Sequence, residues 1–125
     1  MQNGSDHCNL AFTYYRRLAR VRCYVEENYT EPVTLEDAAS VAGLEPKYFS
    51  AYFRKKTGMC FSHWLSGYRV TQALKQMHAC DCTITEVALD SGFQDLRTFE
   101  RAFKSKCGTT PAQYKSKILT MIETQ

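Results

Sequence analysis

One structural unit occurs twice in this chain of 125 residues, first at residues 34–64 and again at residues 83–114. Residues 34–39 recur as residues 83–88, 49 positions later, and the shift becomes 50 after a glycine in each copy. Each copy has the pattern of a short helix, a glycine turn and a second helix, which is the helix-turn-helix motif. The duplication therefore restricts the chain to folds that contain this motif twice.

Local signals place helices along nearly the whole chain. Thr34 and Thr83 are predicted N-caps, and Glu86 completes a capping box with Thr83. Gly43 stands where a positive φ turns the chain sharply, and Pro46 stands at the favoured first position of the next helix. No alternating strand pattern competes with these signals. The sequence predicts an all-α fold, in which a longer helix at residues 60–78 connects the two copies and sets their separation.

Charged residues are segregated along the chain, although the net charge is only +3. Residues 23–46 contain six acids and no Lys or Arg, whereas residues 46–80 contain six basic residues and no acid. A second zone of six basic residues runs from 97 to 117. Because each basic zone begins near the second helix of a copy, we predict positive faces that release counterions from phosphates. The alternative is a solvated helical surface whose charges cluster incidentally.

Composition and cysteine spacing disfavour several classes of protein. No apolar run approaches the ~20 residues of a membrane helix, and the first residues lack the features of a signal peptide, so we expect a cytoplasmic protein. The six cysteines include no Cys-x-x-Cys pair, and the pair Cys80 and Cys82 has no partner pair at zinc-finger spacing. We expect reduced thiols and no metal, with a redox or metal role as the alternative. No nucleophile–base pair or phosphate-binding loop is present, so we predict neither an enzyme nor a cofactor.

Five motifs carry a family resemblance that spans roughly residues 21–117. They are Leu35-x-x-Ala38-Ala39-x-x-Ala42-Gly43-Leu44, Tyr48-Phe49-x-x-x-Phe53-Arg54-x-x-x-Gly58, Ile84-x-x-Val87-Ala88-x-x-x-Gly92-Phe93, Phe99-x-Arg101-x-Phe103-Lys104 and Gly108-x-x-Pro111-x-x-Tyr114. In these motifs the chain resembles the DNA-binding domain of the AraC/XylS family of bacterial transcription regulators. The resemblance implies an all-α, seven-helix domain of two helix-turn-helix lobes joined by a long central helix.

The resemblance also implies the domain organisation. Most members of the family carry this domain behind an N-terminal effector-binding or dimerisation domain, so we expect a stand-alone member or an excised C-terminal domain. The predicted boundaries are a flexible N-terminal extension or tag remnant at 1–15, the DNA-binding domain at 16–119 with lobes at 16–58 and 83–119 around the linker helix at 60–78, and a C-terminal tail at 120–125.

In this family the second helix of each lobe enters the major groove, which places the recognition helices at about residues 46–57 and 95–107, the latter with Asp95 as its N-cap. Arginine can hold guanine O6 and N7 with two hydrogen bonds, and glutamate can accept one from cytosine N4. Family members often carry a longer polar residue in place of Ala51, so we expect more base reading from the second helix. The base-reading candidates are Lys47, Ser50, Ala51, Arg54, Leu96, Arg97, Glu100 and Arg101.

Other basic residues and the helix starts are better suited to phosphate contacts. Such contacts position a protein on the duplex without specifying sequence. These phosphate candidates are Thr34, Lys55, Thr83, Lys104, Lys106 and Lys115. Two alternatives concern single side chains: Arg101 could brace its lobe by pairing with Asp95, and Glu100 could merely limit non-specific affinity. Trp64 and Tyr114 occupy equivalent places in the two copies, where we expect core packing rather than base stacking.

The resemblance predicts sequence-specific binding to double-stranded DNA that regulates bacterial transcription. It further implies an activator that contacts RNA polymerase, while the lack of a membrane-length apolar run predicts no membrane partner. The alternative is a protein-interaction module that kept the fold and lost DNA contact, and such a remnant should have lost the positive faces of both recognition helices.

Overall fold

The structure is a computed structural model that describes the backbone of residues 4–123. Every regular element over this range is a helix, so the predicted all-α class is confirmed, but the predicted count of seven is wrong because eight are present. The eight helices are α1 (Gly4–Tyr14), α2 (Arg16–Asn28), α3 (Leu35–Ala42), α4 (Pro46–Thr57), α5 (Phe61–Ala79), α6 (Ile84–Asp90), α7 (Leu96–Cys107) and α8 (Pro111–Glu123).

The additional helix is α1, which lies in the segment 1–15 where the sequence predicted only an extension. Its described side chains are exposed except those of Ala11 and Phe12. The Phe12 ring contacts Phe53 of α4 and Trp64 of α5, with ring centroids 5.8 and 4.7 Å apart. These contacts join residues distant in sequence, which is why the local pattern did not reveal the helix. Residues 1–3 of the predicted extension and 124–125 of the predicted tail lie outside the described residues, and residues 120–123 continue α8.

The chain divides into two compact units between Leu65 and Ser66. In the first unit α1 packs on α2 and α4, and α3 packs on α2 and α4. Aromatic rings fill its centre, where Phe53 lies 5.7 Å from Phe49 and 5.4 Å from Phe61 between ring centroids. Buried aliphatic side chains of α1, α2 and α3 surround these rings, namely Ala11, Leu18, Val21, Val25, Ala38, Ala39 and Ala42.

The second unit has a core of its own, built from the later part of α5 together with α6, α7 and α8. Phe99 and Phe103 of α7 are fully buried there, and the Phe103 ring centroid lies 5.6 Å from that of Tyr114 on α8. The other buried members are Val70, Ala73, Met77, Val87, Ala88 and Phe93. Each unit therefore supports one of the predicted recognition helices, α4 or α7, on its own set of buried side chains.

The helix starts and turns within the units agree with their sequence signals. Thr34 Oγ1 accepts a hydrogen bond from the Asp37 amide at 3.0 Å, and Thr83 Oγ1 accepts one from the Glu86 amide at 3.1 Å. Both predicted caps are confirmed, and both belong to complete capping boxes. Gly43 has the predicted positive φ, 75°, which a residue without a Cβ adopts at little steric cost.

A disulfide joins Cys80 to Cys82 in the turn between α5 and α6, with a Cα–Cα distance of 5.7 Å. The expectation of reduced thiols is therefore wrong for this pair. The spacings of zinc sites and of Cys-x-x-Cys pairs do not include this pair, because a non-helical turn brings the two sulfurs together across a single residue. Cys23, Cys60 and Cys107 are free thiols. Among the described residues no helix is both long and apolar enough to span a bilayer, and no cluster of side chains could hold a metal ion.

Candidate nucleic-acid interface

The first candidate surface is the outer face of α4. Pro46 occupies the first turn, and the helix ends at Gly58, whose φ is 85°. Phe49, Phe53 and Thr57 point into the first unit and are buried. The positions on the opposite side of the helix are exposed, and they are the four base-reading candidates of this copy: Lys47, Ser50, Ala51 and Arg54.

The second candidate surface is the outer face of α7. Asp95 caps the helix as predicted, because its carboxylate accepts hydrogen bonds from the Thr98 amide at 2.7 Å and the Thr98 hydroxyl at 3.0 Å. These bonds lower the pKa of the Asp95 carboxyl, the amide having the largest effect. With Phe99 and Phe103 buried, the exposed side of α7 carries Leu96, Arg97, Glu100, Arg101 and Lys104.

The two faces differ in what they can offer a base edge. On α7, two guanidinium groups can each donate two parallel hydrogen bonds, while the Glu100 carboxylate can only accept. Leu96 is 38% exposed and offers only apolar contact. On α4, Lys47 and Arg54 supply charge, whereas Ser50 and Ala51 are short. The α7 face therefore carries two planar donor groups and one acceptor, whereas the α4 face carries two cations beside two short side chains.

Arg101 does not depend on Asp95 for its position. The Asp95 carboxylate is committed to Thr98, and the Arg101 side chain stays exposed on the outer face of α7. Arg101 does contribute to the lowered pKa of Asp95, but less than the Thr98 bonds. The bracing alternative thus lacks the close ion pair that it needs, as far as the described side chains show.

The phosphate candidates fall into three groups. Lys55, Lys104 and Lys106 are exposed. Thr34 and Thr83 use their own amides inside the capping boxes, donating to Asp37 Oδ2 at 3.1 Å and to Glu86 Oε1 at 2.9 Å. These two amides are therefore already bound to a carboxylate, as the capping box predicted at Thr83 implied, whereas the contact between Thr34 and Asp37 was not predicted.

Lys115 is the third case, because its ammonium group is already bound within the second unit. Its Nζ donates to the Cys82 carbonyl at 2.8 Å and lies 3.7 Å from Asp81 Oδ1. The side chain is only 30% exposed. It must leave or share these partners before it can contact a phosphate.

The equivalent aromatic residues pack inside their own units, in line with the expectation. Trp64 stacks on Phe12, and the Tyr114 hydroxyl lies 2.7 Å from His78 Nε2 while its ring contacts Phe103. One exposed aromatic residue was missed: Tyr48, beside Lys47 on α4, is 68% exposed. Tyr48 entered the prediction only as a family motif position, and its place three positions before Ala51, on the same side of the helix, was the available signal.

Comparison with known proteins identifies the motif independently. A family model described as a helix-turn-helix domain matches residues 38–117. TetD of transposon Tn10 from Escherichia coli is 31% identical over 103 residues, which are 82% of this chain and 75% of that protein. An uncharacterized HTH-type transcriptional regulator of Staphylococcus aureus strain MSSA476 is 29% identical over 119 residues, or 95% of this chain. The chain spans only 16% of the length of that regulator.

Solved structures share the fold. The DNA-binding domain of AdpA, a global transcriptional factor, in complex with a target DNA, is 29% identical with a TM-score of 0.75, covering 82% of this chain and 92% of that one. At 20% identity the likeness extends, for the fold alone, to an AraC-type DNA-binding-domain regulator from Chromobacterium violaceum. Its TM-score is 0.74, with 82% of this chain and 91% of that chain covered.

Proposed function

The chain belongs to the AraC-type family of helix-turn-helix regulators, which bind DNA and regulate transcription, and we propose that it reads a specific duplex sequence with α4 and α7. Each helix enters the major groove, in successive turns of the duplex, and presents its exposed face to base edges. The observation that carries this proposal is that both helices have one buried face and one exposed face of similar chemistry. Each buries a pair of phenylalanines and exposes a polar, largely cationic face on the other side.

Roles within this interface follow from side-chain chemistry. Arg97 and Arg101 contribute most of the base reading because their planar donor groups match guanine. Arg54 and Lys47 add contacts from α4, and Ala51 contributes little beyond a contact with a thymine methyl. Lys55, Lys104 and Lys106 neutralise phosphates, which supplies affinity without sequence preference.

The same family membership supports a role in activation through contact with RNA polymerase, in the bacterial cytoplasm where the chromosome is located. This part of the proposal is tested by in vitro transcription from a promoter that carries the selected site. Addition of the protein should increase transcript yield, and a decrease would identify a repressor instead. The competing function, a protein-interaction module without DNA contact, is disfavoured because both cationic faces are retained.

The primary experiment selects bound sequences from a random duplex pool at a stated salt concentration. We expect one enriched site, and chemical footprinting on it should show two protected major-groove segments about 10 base pairs apart. The double substitution Arg97→Ala/Arg101→Ala should weaken binding to that site much more than Arg16→Ala/Arg20→Ala. The second pair is the matched control, since it removes the same charge from exposed positions of α2. Absence of any enriched duplex would overturn the proposal.

A further inference from the structure

The turn between α5 and α6 combines a disulfide with a candidate DNA-contacting lysine. Cys80 and Cys82 are bonded around Asp81, which is 92% exposed, and Cys80 is itself exposed. Small thiols in solution can therefore reach the pair. Disulfides in bacterial cytoplasmic proteins are uncommon, and those that occur are mostly transient, catalytic or redox-sensing. This turn is accordingly the part of the chain whose chemistry the proposed function leaves unexplained.

The bonded turn is held from both sides by polar contacts. From α8, Lys115 Nζ donates to the Cys82 carbonyl at 2.8 Å and pairs with Asp81 at 3.7 Å. From α5, Gln76 Nε2 lies 3.5 Å from Cys82 Sγ and donates to Asp90 Oδ2 at 2.9 Å. Thr83, the next residue, caps α6. Both partners of Lys115 therefore lie within the turn that the disulfide closes.

We propose that Cys80 and Cys82 form a reversible thiol–disulfide site that controls the availability of Lys115 to a DNA phosphate, an inference that rests on the proposed function. In the oxidised turn, the cross-link limits the conformations of Asp81 and keeps the Cys82 carbonyl on Lys115. Reduction removes that restriction, so holding the carbonyl and the carboxylate on the lysine costs more conformational entropy. The ammonium group is released, and the reduced protein binds DNA more tightly.

The redox step balances with a dithiol as the reductant. One thiolate of the dithiol attacks a sulfur of the Cys80–Cys82 bond and forms a mixed disulfide with it. The second thiolate of the reductant then displaces this cysteine, and the dithiol leaves as an intramolecular disulfide. Cys80 and Cys82 have gained two electrons and two protons as thiols. Oxidised glutathione reverses the step by accepting the same electrons and protons.

The cysteines outside the turn must be removed, so that only the Cys80–Cys82 pair responds to the redox conditions. The pKa of Cys60 is lowered, chiefly by the His63 backbone amide and next by the Ser62 hydroxyl, so this exposed thiol can also react. Burial raises the pKa of Cys107. The experiment therefore uses a variant in which the four cysteines outside the turn are replaced by serine, namely Cys8, Cys23, Cys60 and Cys107.

The test measures binding of this variant to the selected duplex after equilibration with dithiothreitol or with oxidised glutathione. Mass spectrometry after thiol alkylation verifies the state of the pair. The reduced protein should bind about threefold more tightly near 0.2 M salt, and its salt slope should be larger by about 1, the value of one phosphate contact. The further change Cys82→Ser should give the reduced-state affinity under both conditions.

Substitutions at the lysine separate this mechanism from a general effect of oxidation. Lys115→Gln should bind with the affinity of the oxidised protein in both states and so lose the redox response, whereas the matched change at exposed Lys117, Lys117→Gln, should retain it. Equal affinities and slopes in the verified disulfide and dithiol forms would overturn this inference and leave the proposed function intact. Failure of glutathione to form the disulfide would also overturn it. If neither state binds any duplex, the proposed function fails, and the inference with it.

Discussion

The guanidinium of Arg101 is exposed on the same side of α7 as Arg97, while Asp95 is committed to its cap. We predict that Arg101→Ala weakens binding to the selected site by about 1–3 kcal/mol and relaxes the base preference at one position. Arg101→Lys is the matched control. It keeps the charge but loses the planar donor pair, so it should keep the salt slope and lose the preference. Equal losses on every duplex tested would show that Arg101 contacts phosphate only.

Lys104 lies one helical turn after Glu100 and is exposed near the end of α7. A phosphate contact at this position carries no sequence information, so Lys104→Ala should weaken specific and random duplexes alike. The salt slope of binding should decrease by about 1 in a titration followed by fluorescence anisotropy. Lys75→Ala, which removes an exposed lysine from α5, is the control and should leave the slope unchanged. A slope that Lys104→Ala does not alter excludes the phosphate role.

Among the elements, α6 is short and depends on its capping box. Thr83→Ala removes the hydroxyl that accepts from the Glu86 amide and leaves that amide without its partner. The free energy of unfolding should fall by about 0.5–2 kcal/mol in urea denaturation, the usual cost of losing such a cap. Thr85→Ala, at an exposed position within the same helix, should change it much less. Similar losses from both substitutions would argue against a dominant role for the cap.

The caps of α6 and α7 also make stability depend on pH. Hydrogen bonds from Thr83, its amide first, lower the pKa of Glu86, and bonds from Thr98 do the same for Asp95. A carboxyl whose pKa is lower in the folded state stabilises the fold above its ordinary pKa, and this contribution is lost as the pH falls through the lowered value. Stability measured by urea denaturation should therefore decline below about pH 4. Glu86→Gln should have a shallower decline, and an unchanged pH profile would contradict the prediction.

How far an element can be predicted depends on where its determinants lie. A helix was predicted at about 46–57 and is observed at Pro46–Thr57, because proline and glycine mark its ends within the segment itself. The N-cap Asp95 similarly located α7, and the exposed faces of both helices followed from their buried phenylalanines. Helix α1 escaped prediction because its stabilising contacts come from Phe53 and Trp64, far along the chain. The bound state of Lys115 escaped for the same reason, since its partners precede it by more than 30 residues.

The whole molecule consists of two units with separate cores, and the repeat in the sequence is the origin of that division. Trp64, the single tryptophan, packs on Phe12 and Phe53 in the first unit. Its fluorescence therefore reports on that unit, whereas the far-ultraviolet circular dichroism of an all-helical chain reports on both. Because cores of this kind can unfold separately, the two signals need not change together.

Phe103→Ala tests this division, because Phe103 is fully buried in the second core. The cavity should cost the second unit about 3–5 kcal/mol. In urea, the circular dichroism signal should begin to fall well before the Trp64 emission changes, while the parent protein shows closer transitions. Phe49→Ala, in the first core, is the reciprocal variant and should lower the midpoint of the Trp64 transition instead. Coincident transitions in both variants would mean that α5, which runs through the boundary, couples the units into a single cooperative fold. In that case damage to either core would abolish the DNA binding that we propose for both α4 and α7.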